Sequence, residues 1–238
     1  MKETLKNILK KIPINITRNQ KYDALTLKIM QIVLEEDSTF IDVGCHKGEL
    51  LDEALKIAPK GKHYAFEPIP YLYKKLVSSH GNVAIIKNVA LSDKRGTSTF
   101  QFVKTNPAYS GLKKRSYPKK EDIEEIEVVL DTMDNQLKTA EKVNLIKIDV
   151  EGGEMGVLKG AVNTLKKWSP VVIFEHGIGA SDYYGTTPEE MWEFLNENDY
   201  CIFSLRGFVA NKTSLTIEQF INLFETNKEY YFIAKAKV

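Results

Sequence analysis

The chain has few cysteines and no long hydrophobic run. Its two cysteines, Cys45 and Cys201, lie far apart and form no Cys-x-x-Cys or Cys/His spacing, so neither a disulfide framework nor a zinc site is indicated. No segment approaches the roughly 18 apolar residues that a membrane span needs. The first residues, MKETLKNILKKIP, also lack the apolar stretch of a signal peptide. We therefore expect a cytoplasmic protein without a membrane span.

An excess of charge of one sign is also absent. The 33 basic residues are balanced by 32 acidic ones, and the net charge of +1 gives no basis for bulk nucleic-acid binding. The 238 residues suffice for one good-sized domain. We divide the chain into an N-terminal helical extension, residues 1–38, and a main domain, residues 39–238. The N-terminal helices and the apolar C-terminal strand of the chain offer surfaces for a homo-oligomer, although no residue identifies a dimer interface.

Two helices are predicted in the extension. The apolar residues of LKNILKKI recur at helical spacing, so this basic amphipathic helix either packs on the domain or lies on a membrane surface. The segment YDALTLKIMQIVLEE predicts a second helix with one apolar face, formed by Leu25, Ile29, Ile32 and Val33.

Beyond residue 38, apolar strand-like segments alternate with helical ones. The segments TFIDVG, KHYAFEP, NVAIIKNVAL, VNLIKIDV, VVIFEH and YCIFSL indicate strands, and such an alternation predicts a parallel sheet covered on both faces. TSTFQFV and IEEIEVVL predict an inserted β-hairpin around a long loop, and EYYFIAKAKV predicts an antiparallel last strand. The predicted fold is α/β, with a Rossmann-like, doubly wound, mostly parallel seven-stranded sheet.

Carboxylates stand at the ends of the first two predicted strands. Asp42 precedes Gly44, and Glu67 follows the next strand, so both lie where a doubly wound sheet binds its ligand. Glu67 suits the two hydroxyls of a ribose, and the glycine allows the backbone to approach a ligand closely. Asp42 either caps its own turn or orders the loop that holds the ligand. The helix that starts near Gly48 offers free N–H groups to an anion, so a nucleoside that carries a carboxylate or a phosphate is implied.

The loop after the first strand lacks the dinucleotide fingerprint. It has GCHKG in place of GxGxxG, so a dehydrogenase is the weakest interpretation. The pattern DxGxxxG, followed about 20 residues later by an acid at a strand end, is typical of Rossmann-type methyltransferases that bind S-adenosylmethionine.

Five further segments strengthen this interpretation. FIDVGCHKGELLDEAL, YAFEPIPYLYKKL, NVALSDKRG, LIKIDVEGGEMGVLKGA and PVVIFEHG occur in this order, and together they resemble the FkbM family of S-adenosylmethionine-dependent methyltransferases. The resemblance implies methyl transfer, most often to oxygen, with acceptors such as sugars and macrocyclic natural products. It also implies that the cofactor is bound by Asp42, Gly44, His46, Lys47, Gly48, Glu67, Pro68, Ala90, Ser92, Asp93 and Asp149. For Ser92 and Asp93, which would contact the adenine, a plain turn is an equally simple explanation.

Three residues at the ends of the fourth and fifth strands are the catalytic candidates. Asp149, Glu175 and His176 are expected to converge where methyl donor and acceptor meet, with His176 as the general base. A structural pairing of Asp149 with Lys147 is the simpler alternative. Asp149 and Glu175 also suit Mg²⁺ or Mn²⁺, which would bind the acceptor hydroxyl and lower its pKa.

The long loop KTNPAYSGLKKRSYPKK, residues 104–120, carries six basic residues and no acid. It is either a solvated charged loop or a segment that folds over the site, binds phosphate, and stacks Tyr109 and Tyr117 on a ring.

The leading hypothesis is an O-methyltransferase for a small-molecule hydroxyl, most plausibly of a sugar or nucleotide-sugar used in surface glycan synthesis. A nucleic-acid methyltransferase and a non-catalytic nucleoside-binding protein are the alternatives. Neutral net charge and the absence of an appended RNA-binding module argue against the first of these, so no nucleic-acid partner is expected.

Overall fold

The computed structural model describes residues 17–237, so the first predicted helix lies outside the described residues. The helices within this range are α1 Arg18–Val33, α2 Glu49–Ile57, α3 Pro70–His80, α4 Met133–Gln136, α5 Glu154–Lys159, α6 Val162–Trp168, α7 Pro188–Glu197, α8 Leu205–Val209 and α9 Ile217–Glu225. The strands are β1 Phe40–Val43, β2 Tyr64–Phe66, β3 Ile85–Lys87, β4 Ala90–Leu91, β5 Gly96–Val103, β6 Ile123–Asp131, β7 Leu145–Ile148, β8 Val171–Glu175, β9 Tyr200–Ser204 and β10 Tyr231–Ala236.

The main sheet has seven strands in the order β3-β2-β1-β7-β8-β10-β9. Neighbours from β3 to β8 are parallel, whereas β10 is antiparallel to both β8 and β9. This arrangement confirms the predicted doubly wound sheet with an antiparallel last strand. The chain first builds outward from β1 to β3 and later from β7 to β8, so the strand order reverses between β1 and β7. A ligand site is expected outside the carboxyl ends of these two strands.

A second sheet of three strands, β4-β6-β5, stands beside the first. β5 and β6 form the predicted antiparallel hairpin, but NVAIIKNVAL is two strands rather than the single strand predicted. β3 belongs to the main sheet and β4 to the small one. The break falls at Asn88, whose side-chain amide donates to the carbonyls of Glu67 and Pro68 at 2.8 and 2.9 Å.

The first described helix, α1, packs on the main sheet through a stripe that overlaps the predicted one. Its buried residues are Tyr22, Thr26, Ile29 and Met30, and the predicted Leu25 and Val33 are partly buried against the same core. Ile32 is 59% exposed, so the expectation that it shares the buried face is wrong. A capping box at Thr17 begins the helix. None of the helices within residues 17–237 combines the length and the apolar character required to cross a bilayer.

Candidate functional site

The glycine loop after β1 lies directly against the end of β7. Gly44 has a left-handed backbone, with φ of +77°, and a Cβ there would lie 2.0 Å from the carbonyl oxygen of Asp149. Only glycine fits this position. The Gly44 N–H donates to the carbonyl of Phe66 at 3.0 Å, which ties the loop to β2 as well. The ends of the three central strands are thereby held close together.

Glu67 holds the glycine loop in place. One of its carboxylate oxygens accepts from the His46 N–H and the other from the Ile69 N–H, both at 2.9 Å. Burial raises the pKa of Glu67 to about 7. The two backbone contacts occupy one lone-pair direction on each oxygen, so each oxygen can accept a further hydrogen bond.

An apolar cavity lies beside Glu67, between the main sheet and the small sheet. Five of the predicted cofactor residues besides Asp149 line it: Gly44, His46, Glu67, Pro68 and Ala90. Apolar side chains from both sheets, among them Phe66, Leu91 and Phe100, complete its wall. The cavity therefore suits a flat, largely apolar group with hydrogen-bonding edges.

A larger open cleft adjoins this cavity. The two share Gly44, His46, Ala108, Asp149 and Glu151. Many of the other residues that line the cleft are ionisable, namely Arg18, Asp23, Asp42, Glu49, Glu53, Arg115, Lys147 and Glu175. A molecule that extends from the apolar cavity would thus enter a charged cleft at Asp149 and Glu151.

Four predicted cofactor residues line neither the cavity nor the cleft. Lys47 is exposed, and Gly48 caps α2 with φ of +81° while packing against Leu76. The Ser92 hydroxyl bonds its neighbour Asp93 at 3.2 Å, and the Ser92 backbone packs tightly on Gly160 of the α5 end. Ser92 and Asp93 thus lie at the bend after β4, outside the lining of the cavity and the cleft, and their contact with the adenine remains a prediction.

Asp42 is buried in the wall of the cleft, with its Oδ1 atom unpartnered. No hydrogen bond from its own turn reaches this atom, so the structure does not support a purely capping role. Burial raises the pKa of Asp42 to about 6, against the opposing effect of the Lys147 ammonium. An unpartnered buried carboxylate oxygen is costly, and a positively charged donor from a ligand would satisfy it.

Asp149 is the centre of a hydrogen-bonded cluster. Its Oδ2 atom accepts from Lys147 Nζ and from Tyr231 Oη, both at 2.6 Å. Burial opposes ionisation of Asp149, but the Lys147 ammonium and these hydrogen bonds outweigh burial and hold its pKa below the usual range. Asp149 is therefore ionised at neutral pH. Neither Lys147 nor Tyr231 was identified as a site residue from sequence, although the alternation of KID placed Lys147 and Asp149 on one side of β7.

Two more carboxylates approach Asp149. Oxygen atoms of Asp149, Glu151 and Glu175 lie within 4.8 Å of one another. Burial and then the charge of Asp149 raise the pKa of Glu175 well above its usual value, and the same causes raise that of Glu151 to about 8. Glu151 was missed from sequence. It has a left-handed backbone, with φ of +59°, at the turn that Glu154 fastens through the N–H groups of Val150 and Gly152.

These carboxylates are close enough to hold a divalent cation, but the cations already present fit them better. Lys147 Nζ contacts Asp149, and the Arg115 guanidinium contacts Glu151. A divalent ion between these carboxylates would lie next to a fixed ammonium group, which repels it. We therefore derive no chemical step through Mg²⁺ or Mn²⁺.

His176 does not join the cluster. Its ring stacks on Phe220 and Phe224, with centroid distances of 5.8 and 4.8 Å, and both ring nitrogens are buried without a partner. Burial lowers its pKa to about 4, so the ring is neutral. Successive side chains of an extended segment point to opposite faces, and Glu175 takes the face of the cleft. The expectation that His176 converges with Asp149 and Glu175 is wrong.

The basic loop folds over the cleft. Arg115 pairs with Glu151, donates to the carbonyl of Gly179 at 3.0 Å, and has a side chain only 7% exposed. Lys113 Nζ donates to the carbonyl of Tyr183 at 3.2 Å. Tyr109 and Tyr117 stack on each other, with ring centroids 6.0 Å apart. Of the two predicted alternatives, the structure thus supports a segment that covers the site.

The strand order, the glycine loop against β7 and the cavity beside Glu67 together define a Rossmann-like methyltransferase fold. A family model described as the methyltransferase FkbM domain matches residues 42–202. The chain therefore belongs to the FkbM methyltransferase family, which confirms the resemblance found in the sequence.

Known proteins that are similar to the chain include two methyltransferases. Hexuronic acid methyltransferase AglP from Haloferax volcanii is 29% identical over 169 residues, which cover 68% of this chain and 63% of AglP. A methyltransferase FkbM from Methylobacillus flagellatus KT has a similar structure, with a TM-score of 0.50 and 13% identity, covering 84% of this chain and 44% of that one. The chain thus spans less than two thirds of the length of either protein, and the second likeness concerns the fold alone.

Proposed function

We propose that the protein is an S-adenosylmethionine-dependent O-methyltransferase that acts on a hydroxyl group of a sugar. The observation that carries this proposal is the junction at Asp149 and Glu151, where an apolar cavity opens into a cleft lined by carboxylates. Methyl transfer requires such a junction, because the donor must be bound on one side and the acceptor on the other.

The cofactor fits the residues on both sides of this junction. The apolar cavity suits the adenosine, and Glu67 can accept hydrogen bonds from the ribose in addition to its two backbone contacts. The unpartnered Asp42 Oδ1 in the cleft suits the ammonium of the methionine part. When bound, S-adenosylmethionine supplies an electrophilic methyl group. The side chains of this protein bind and orient the two reactants and take up a proton.

Glu175 takes the place of His176 as the proton acceptor. Asp149, kept ionised by Lys147, accepts a hydrogen bond from the acceptor hydroxyl and orients it. The raised pKa of Glu175 makes its carboxylate a stronger base than an ordinary glutamate. The pKa values of the two neighbouring carboxylates are shifted in opposite directions, so Asp149 can orient the hydroxyl while Glu175 accepts its proton.

The acceptor class is inferred from the cleft and from one relative. AglP is a hexuronic acid methyltransferase, which supports a sugar acceptor, free or as a nucleotide-sugar, for surface glycan synthesis. Carboxylates such as Asp149 and Glu175 are suitable partners for sugar hydroxyls. The near-neutral net charge of +1 gives no basis for binding a phosphate backbone, so a nucleic-acid acceptor is not proposed. The two free cysteines are compatible with work in the cytoplasm.

The proposal is tested by incubating the protein with radiolabelled S-adenosylmethionine and a panel of sugars and nucleotide-sugars. We expect label in at least one acceptor, and the product to contain an O-methyl group by mass spectrometry. Asp149→Asn should lower turnover by about 100-fold or more while preserving the fold. Lys159→Gln, on α5 outside the cleft, is a control. Label transferred only to RNA would contradict the proposal.

The same assay tests the role of divalent cations. Since Lys147 already contacts Asp149 and Arg115 already contacts Glu151, exhaustive chelation should leave turnover unchanged. Loss of activity on chelation, restored by Mg²⁺ or Mn²⁺, would show that a divalent cation takes part in the reaction.

A further inference from the structure

The cleft contains several buried polar atoms that have no partner. Within residues 17–237, six buried side-chain nitrogen or oxygen atoms make no hydrogen bond. Two belong to His176, and the other four belong to residues of the cleft: Arg18 Nη2, Asp42 Oδ1, Arg115 Nε and Tyr117 Oη. Leaving a buried polar group unsatisfied costs free energy, so such atoms gathered in one cleft indicate a ligand. Three of the four can donate.

Arg18 is the unpaired cation among these residues. Its guanidinium lies 4.1 Å from the centroid of the Tyr230 ring, and Nη1 donates to Asn227 Oδ1 at 3.4 Å. These contacts hold the side chain in the wall of the cleft. No carboxylate of residues 17–237 comes within ion-pair distance of it, in contrast to Lys147 and Arg115. A partly buried guanidinium without a counter-ion is stabilised when it binds an anion, because the anion compensates its charge.

Arg115 and Tyr117 add further hydrogen-bond donors. The Arg115 guanidinium contacts the Glu151 carboxyl group, but Arg115 Nε remains free. The Tyr117 ring lies 5.9 Å from the Arg115 guanidinium, so the two side chains stand side by side in the loop. Lys113, by comparison, is not a cleft residue and uses its ammonium to hold Tyr183. Recognition by the basic loop is therefore assigned to Arg115 and Tyr117 rather than to its lysines.

We infer that the acceptor is an acidic sugar, whose carboxylate or phosphate is bound by Arg18 with further hydrogen bonds from Arg115 Nε and Tyr117 Oη. This inference rests on the proposed function, because the hydroxyl to be methylated lies at Asp149 and Glu175. The arrangement separates the two ends of the acceptor. The reacting hydroxyl meets the carboxylates, and the anionic group meets the guanidinium that lacks a partner.

Binding measurements test the inference without requiring turnover. The protein is saturated with S-adenosylhomocysteine and titrated with glucuronate, glucose 1-phosphate and glucose in a calorimeter. We expect one of the two anionic sugars to bind at least about tenfold more tightly than glucose. Which of the two binds more tightly distinguishes a carboxylate from a phosphate as the recognised group.

The matched variants are Arg18→Gln and Lys21→Gln. Each removes one positive charge from the start of α1, but Lys21 is exposed and lies outside the cleft. Arg18→Gln should abolish the preference for the anionic sugar and leave the affinity for S-adenosylhomocysteine unchanged, whereas Lys21→Gln should preserve both. Arg18→Lys, which retains the charge but not the planar fork, should give an intermediate preference.

Three results would overturn the inference: equal binding of glucose and both anionic sugars, no binding of either anionic sugar, or an anionic preference that survives in Arg18→Gln. Failure of the proposed function gives a different result, because the wild-type protein would then not bind S-adenosylhomocysteine at all.

Discussion

At the scale of single residues, the site depends on which face of a strand each side chain takes. Glu175 and His176 are adjacent in sequence, yet one lies in the cleft and the other between Phe220 and Phe224. The sequence places both residues at the end of β8 but does not show which of them faces the ligand. The alternation of strand residues would decide this only once the face that carries Asp149 is known. Glu151 is harder to foresee, because its left-handed backbone places it in the cleft.

This difference predicts opposite effects for two neighbouring substitutions. Glu175→Gln should lower turnover by about 100-fold, because it removes the proton acceptor. His176→Leu should leave turnover almost unchanged, because the buried ring has no hydrogen bond to lose. Steady-state rates of the two variants with the same acceptor provide the comparison. A severe loss in a folded His176→Leu protein, with normal activity in Glu175→Gln, would reverse the assignment.

The pH dependence of turnover follows from the raised pKa of Glu175. The base must be ionised to accept a proton, so the rate should rise with pH through an apparent pKa well above that of an ordinary glutamate. This rise of the rate with pH should disappear in Glu175→Gln. A wild-type profile that is flat across the neutral range would argue against a base with a raised pKa.

Gly44 is the residue at which the smallest change should have the largest effect. An alanine Cβ would lie 2.0 Å from the Asp149 carbonyl oxygen, so the loop must move away from β7. We expect Gly44→Ala to abolish cofactor binding, as measured by calorimetry. Gly185→Ala is a suitable control, since that glycine also has a positive φ but has no atom within 4 Å of the added Cβ. Normal affinity in Gly44→Ala would show that the close approach is dispensable.

At the scale of elements, apolar patterns predict the sheet well because a buried parallel strand must be apolar throughout. They fail at NVAIIKNVAL, since the side chain of Asn88 interrupts an otherwise continuous apolar run. They also fail at α1, where the helix presents Tyr22 and Met30 to the core and leaves Ile32 exposed. In both cases a tertiary contact determines the structure, and the local sequence pattern does not reveal that contact.

The attachment of α1 depends on Tyr22. Its hydroxyl donates to the carboxylate of Glu229 and accepts from the Tyr230 N–H at 3.2 Å, which joins the helix to the segment before β10. Tyr22→Phe should lower the free energy of unfolding by about 1–2 kcal/mol, as measured by urea denaturation. Tyr73→Phe serves as the control, because the Tyr73 hydroxyl makes no hydrogen bond within residues 17–237. Equal stabilities of the two variants would contradict this role.

At the scale of the whole molecule, the protein carries buried acids whose pKa values are raised. Burial raises the pKa of Glu67 to about 7, of Glu154 to about 7 and of Glu151 to about 8. In this range the folded state binds more protons than the unfolded state, whose carboxyls are already ionised. Buried carboxylates that are costly to ionise favour a ligand that carries positive charge.

The sign of this linkage gives a prediction for stability. As pH rises from about 6.5 to about 8, these groups lose their protons in the folded state, so the free energy of unfolding should fall. The buried histidines, His63 and His176, have lowered pKa values, so deprotonation of the unfolded state opposes this fall only near pH 6.5, at the lower end of the window. Urea denaturation at several pH values measures the slope. Stability that rises over this interval would contradict the pKa directions.

The central claim is that the cavity beside Glu67 binds the adenosine of S-adenosylmethionine. The most direct test is calorimetric titration of the protein with S-adenosylmethionine and S-adenosylhomocysteine, with NAD as the control ligand. The account predicts micromolar binding of the first two, none of NAD, and a strong loss of affinity in Glu67→Ala but not in Glu141→Ala, which changes an exposed glutamate. Absence of binding to a folded protein, or full affinity in Glu67→Ala, would contradict it.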